Sequence, residues 1–95
     1  MATTSMLVRF TPASSVTTEQ YDETISRLEK SGAWPPDGLE YHCAFKSDGK
    51  FRVSEVWDSR EQFEAFGEHL MPVLKDVGIE AGAPEMLEVH NIIKR

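Results

Sequence analysis

Leu39-Glu40-Tyr41-His42-Cys43-Ala44-Phe45-Lys46-Ser47-Asp48-Gly49-Lys50-Phe51-Arg52-Val53-Ser54-Glu55-Val56-Trp57 is the stretch on which the fold turns. Leu39, Tyr41, Cys43 and Phe45 alternate with Glu40, His42, Ala44 and Lys46. That is the period of two of a strand with unlike faces. Ser47-Asp48-Gly49-Lys50 makes a hairpin turn, and Phe51 to Trp57 returns as the next strand. Each side of this hairpin carries a helix and then one more strand. Upstream, Met6 to Phe10 is a short β-type run ended by Thr11-Pro12. Thr17 and Gln20 have the spacing of a capping box, with Val16 and Tyr21 placed as a hydrophobic staple. Tyr21, Ile25 and Leu28 mark the helical face, and Gly32 stops it. Trp34-Pro35-Pro36-Asp37-Gly38 is a stiff link into the hairpin.

Downstream, Ser59 and Gln62 repeat the capping spacing. The second helix buries Phe63, Phe66, Leu70, Leu74 and Val77, with Pro72 on the opposite side and Gly78 at the end. Glu85 to Ile93 reads as the last strand. The order βαββαβ in 95 residues predicts an α+β, ferredoxin-like domain spanning 1–95, with its core at about 6–93. Four antiparallel strands form the sheet and both helices cover one face. Right-handed crossovers put the first and third strands in the centre, the fourth beside the first and the second beside the third.

The other sheet face has no cover within the chain. Strict alternation puts Met6, Val8, Phe10, Leu39, Tyr41, Cys43, Leu87 and Val89 under the helices. It leaves Leu7, Arg9, His42, Ala44, Val56, Met86, His90 and Ile92 on the open face. This mixture is too apolar for plain solvent and predicts an interface or a pocket, with a second copy of the chain as the natural cover. The third strand is ambiguous. Either Glu55 enters the core beside Trp57, or the strand is irregular near its end and turns one of them to a pocket rim. The second reading is preferred.

Composition narrows the partners. Acidic residues outnumber basic ones by 16 to 10, a net charge of −6, and no basic run occurs, so neither nucleic acid nor an anionic membrane is expected. Cys43 is the single cysteine, which excludes an internal disulfide and suits a reducing cytoplasm. Met1 to Phe10 lacks a basic leader followed by a long apolar stretch, so no secretory signal is expected. No phosphate loop, nucleotide fingerprint or nucleophile elbow is present. Hence no cofactor is expected.

His42, mid-strand on the expected open face, is the candidate proton acceptor, since imidazole titrates near neutrality. The plainer reading is an interface histidine bonded to a neighbour. Arg9 on a central strand needs a partner, Glu55 or a ligand carboxylate, and with Asn91 it could stabilise negative charge. His90 beside His42 could hold a ligand's polar groups. A metal would need a third ligand from Glu40, Glu55 or Glu88, and no tight spacing supports one, so no metal is expected. The expected pocket is lined by Leu7, Glu55, Val56, Trp57, His69, Met86 and His90.

Val53-Ser54-Glu55-Val56-Trp57-Asp58-Ser59 running into Phe63-Glu64-Ala65-Phe66 resembles the antibiotic-biosynthesis-monooxygenase-like domains of the dimeric α/β-barrel superfamily. His69-Leu70-Met71-Pro72 with Gly78, and Glu88-Val89-His90-Asn91, resemble small bacterial members of unassigned activity. The resemblance runs from Met6 to Ile93. It implies a homodimer whose two sheets close a barrel. It also implies activities such as cofactor-free oxidation of aromatic polyketides, isomerisation or lactone chemistry, or haem degradation. His69 and Trp57 resemble the histidine and tryptophan of the haem-degrading relatives, but the first strand lacks their asparagine. The leading expectation is cofactor-independent oxidation or isomerisation of a small aromatic or polyketide-like molecule. The rival is a non-catalytic dimer that binds a small ligand or serves as architecture.

Overall fold

A computed structural model describes residues 5–93, so the expectation about the opening residues lies partly outside it. The elements are β1 (Met6–Phe10), α1 (Thr18–Lys30), β2 (Leu39–Ser47), β3 (Lys50–Trp57), α2 (Arg60–Val77) and β4 (Glu85–Glu88). All pairings are antiparallel and the strand order is β2-β3-β1-β4, the order that the crossover rule predicts.

The caps form as their spacing requires. Gln20 N–H donates to Thr17 Oγ1 at 3.0 Å, and Thr17 N–H donates to Gln20 Oε1 at 2.9 Å. Gln62 N–H donates to Ser59 Oγ at 3.2 Å. Helix α2 runs through Pro72, which is exposed, so the ring takes one bond from the helix without entering the core. Gly78 ends it in the left-handed region at φ 83°. Gly38 is needed for space as well as for its φ of 91°, since a Cβ there would lie 2.5 Å from the Gln62 side chain. That close approach lets Asp58 N–H donate to Gly38 C=O at 2.8 Å and ties the link to the end of β3.

The face assignment of β2 is corrected. Leu39 pairs with Trp57, but Tyr41 pairs with Val56, so Glu40 is an extra residue in the ladder. This bulge reverses the alternation for the rest of the strand. His42 and Ala44 turn under the helices, opposite Glu55 and Val53. Tyr41, Cys43 and Phe45 turn to the open face, and Tyr41 and Phe45 are 53% and 38% exposed. The last strand is also one step out of the expected phase. Met86 pairs with Val8 and packs on the core, whereas Leu87 pairs with Leu7 on the open face. Strand β4 ends at Glu88 rather than Ile93, with one further bond from Val89 N–H to Ser5 C=O.

Strand β3 is regular to its end, so the preferred expectation for it fails. Glu55 and Trp57 both enter the core, at 3% and 0% exposure. Val8, Leu28, Trp57, Phe63 and Phe66 form the centre, with Phe10, Trp34, Leu39, Leu70 and Met86 packed around them. Phe66, more than Leu70, is the middle of the α2 stripe. Phe66→Ala should therefore cost about 3–5 kcal/mol, while Glu64→Ala, in an exposed ion pair with Arg60, should cost less than about 0.5 kcal/mol. Urea melts check this, and equal shifts would mean the helix faces the other way.

Candidate functional site

Between the sheet and the two helices lies an almost wholly apolar cavity of about 80 Å³. Phe10, Leu28, Trp34, Phe51, Phe66 and Leu70 contribute to its walls. Four polar side chains reach it: Tyr21, Thr24, His42 and Glu55. Thr24 gives its hydroxyl proton to Gln20 C=O at 2.9 Å, which leaves three groups for a ligand or a reaction.

Those three form one chain. Glu55 Oε1 accepts from Trp57 Nε1–H at 3.0 Å. Glu55 Oε2 lies 2.6 Å from His42 Nδ1. His42 Nε2 lies 2.6 Å from the Tyr21 hydroxyl. A carboxylate can only accept, so His42 donates from Nδ1 and, as neutral imidazole, offers its Nε2 lone pair to the Tyr21 O–H. Trp34 closes over the imidazole edge-on, with ring centroids 5.0 Å apart. Burial, and then the negative charge of Glu55, push the Tyr21 phenol above its ordinary value, so it stays a neutral donor. A carboxylate that orients an imidazole, with the second nitrogen on the wall of an apolar cavity, is an arrangement suited to taking a proton from a weak acid.

Of the predicted site residues, only His42 and Glu55 meet here. Their strand positions, directly opposite in the β2–β3 ladder, bring them together. Trp57 stands behind Glu55 and positions it. Leu7 and Val56 lie on the opposite face of the sheet, paired with each other. Arg9 shares that face, and its partner is Glu85 at 3.8 Å, not Glu55. Met86 is in the core outside the cavity walls. His90 and Asn91 are exposed beyond the end of β4. His69 is exposed on α2 and borders an outer groove with Gly32, Pro35 and Gln62. His69 and Trp57 therefore share no cavity, and the two do not fit a haem. Among the described residues no cluster of three or more His, Cys, Asp or Glu could hold a metal, and no helix is long and apolar enough to cross a membrane.

Tyr21 was legible only as a helix-face residue. Its spacing marks the buried side of α1, but nothing local tells that the hydroxyl meets a histidine 21 residues on.

No family model matches the chain, and no curated protein matches it. Solved structures do. The protein YJCS shares 15% identity at a TM-score of 0.60, over 93% of this chain and all of its own. SnoaB, a cofactor-independent oxygenase from Streptomyces nogalater, shares 13% identity at a TM-score of 0.55, over 99% of this chain and 97% of its own. A conserved protein of unknown function from Bacteroides thetaiotaomicron shares 16% identity at a TM-score of 0.57, over 94% of this chain and all of its own. The chain thus shares with these structures its βαββαβ fold, a four-stranded antiparallel sheet in the order β2-β3-β1-β4 with two helices. At these identities the likeness is one of fold, and activity has to be argued from the site.

Raising the Tyr21 pKa on folding has a consequence for stability. The contribution is fully present below the free-tyrosine value and is lost as pH climbs through the higher folded value. Urea midpoints should therefore fall from about pH 9 upward, and less steeply in Tyr21→Phe. Identical slopes in the two proteins would mean that the phenol ionises as freely in the folded chain as in the unfolded one.

Proposed function

We propose that this protein is a single-domain homodimer whose subunits each bind a small, mostly apolar molecule in the Tyr21–His42–Glu55 cavity and remove a proton from it without a cofactor. The observation that carries this reading is the 2.6 Å contact of buried Glu55 with His42 Nδ1, which leaves Nε2 as the acceptor. A ligand with an acidic C–H or O–H would lose its proton to Nε2. The imidazolium formed is paired with Glu55 and stays beside the new anion as its counter-charge. Arg9 and Asn91 lie too far around the fold for that role, so His42 itself takes it.

Two outcomes follow from the anion. Reprotonation at another carbon isomerises the ligand. With dioxygen as oxidant, a carbanion at a CH₂ group forms a C–O bond to give a hydroperoxide, which loses water to leave a C=O group. SnoaB is described as a cofactor-independent oxygenase, which supports the second route by fold likeness. The rival reading, a binding or architectural dimer, draws on two facts. The cavity is several-fold smaller than the roughly 300–1,000 Å³ of common ligand pockets, and Tyr21 already satisfies Nε2.

The homodimer rests on the open sheet face. Leu7, Tyr41, Phe45, Val56 and Leu87 share it, and Tyr41 and Val56 border a groove of about 440 Å³ with Ile92 and Ile93. A permanent dimer should bury roughly 1,500 Å² or more there. The unpaired Cys43 on the same face suits a reducing cytoplasm.

Light scattering should give twice 10.7 kDa at micromolar concentration, and Tyr41→Glu should shift the protein toward monomer. A stable wild-type monomer would remove the dimer from this reading. For chemistry, small aromatic enols and phenols are screened for turnover with an oxygen electrode and by product analysis. His42→Ala should lower turnover by about 10²–10⁴. Full activity in that variant would sink the proposed base, and no turnover across the screen would favour the binding dimer.

A further inference from the structure

Tyr21 already occupies the position that a ligand's hydroxyl would take. Its oxygen sits 2.6 Å from His42 Nε2. Its ring is nearly parallel to the imidazole, at 25° with centroids 5.9 Å apart, and packs on Phe51 at 5.1 Å. The space that remains, about 80 Å³, is small for an aromatic molecule, but a ring that swung away would add the room of a phenol. The helix itself is held. Gln20 Nε2–H donates to Val77 C=O at 3.0 Å, and Gln20 also completes the cap with Thr17. Freeing Nε2 therefore means turning the Tyr21 side chain about its own bonds, and the half-buried ring borders solvent into which it can turn.

Charge narrows what can replace it. Glu55 is a buried carboxylate at the cavity wall, and no lysine or arginine lines the space. An anion arriving from solvent would meet that charge with no lysine or arginine to offset it, in surroundings that screen it poorly. A neutral molecule with one hydroxyl would instead restore the hydrogen bond that Tyr21 gives up.

We propose that Tyr21 is a specificity-determining stand-in for the ligand: its phenol holds His42 Nε2 until a small neutral hydroxyl compound takes that bond, and the Glu55 carboxylate excludes anions. This rests on the reading of the cavity as a ligand site, but it requires no turnover.

The test is calorimetric titration near neutral pH with phenol, toluene and benzoate, with NMR of the His42 and Tyr21 rings. Phenol should bind wild type and move both rings. Toluene should bind about tenfold more weakly, since it returns no hydrogen bond to Nε2. Benzoate should not bind wild type and should bind Glu55→Gln, which separates charge from size. Tyr21→Phe should tighten phenol by about tenfold, because the competing hydroxyl is gone. Unchanged or weaker phenol binding in Tyr21→Phe would overturn the proposal. So would benzoate binding wild type as tightly as phenol, absence of phenol binding to wild type, or phenol binding with the Tyr21 ring signals unmoved. The last readout needs no variant to fold. Phenol binding that follows this pattern with no turnover anywhere would leave the stand-in and remove the catalytic reading. His42-dependent turnover with an indifferent Tyr21 would do the reverse.

Discussion

The buried carboxylate of Glu55 is the constraint around which the rest of the structure is arranged. A carboxylate 3% exposed in an apolar core costs several kcal/mol unless both oxygens are met. Trp57 Nε1 meets one and His42 Nδ1 meets the other. Trp57 can do so because it is two residues on in the same strand and shares its face. His42 can do so because it is directly opposite across the β2–β3 ladder. Tyr21 then joins α1 to the same group of contacts. The polar chain thus specifies how the first helix and the hairpin come together, in a core that would otherwise tolerate several packings.

That arrangement needs the bulge at Glu40. Without the extra residue, a strand that starts with Leu39 against Trp57 would send His42 out of the core and leave Glu55 without a second donor. With it, one strand serves two purposes. Leu39, His42 and Ala44 complete the intrachain core, while Tyr41, Cys43 and Phe45 make the open face more apolar than simple alternation allows. The internal cavity and the apolar open face are set by the same irregularity.

The cavity's size and its negative wall work together. Little room and one buried charge suit the small neutral occupant proposed above, and the carboxylate that, after burial, adds to the upward shift of the Tyr21 phenol also holds a neutral imidazole in the tautomer that accepts at Nε2. The basic groups that sequence reasoning enlisted for charge stabilisation stand elsewhere. Arg9 faces the open side of the sheet, paired with Glu85, and so stands away from the cavity.

By itself the sequence determined the element order, both helix caps, the Gly78 stop, the hairpin and hence the antiparallel sheet with β1 and β3 in the centre. These are local signals, written in residues a few positions apart, and crossover handedness does the rest. It also marked His42 and Glu55 as residues to watch. Only the tertiary structure decided that they meet, because a bulge has no periodic signature: Leu39, Tyr41, Cys43 and Phe45 alternate perfectly, and the break in phase appears only when Tyr41 is set against Val56. Shifting one residue in a period of two exchanges the faces, which is why Tyr41 moved out, His42 moved in and Met86 changed places with Leu87. The role of Tyr21 depended on that exchange, since its hydroxyl has a partner only when His42 lies under the helices.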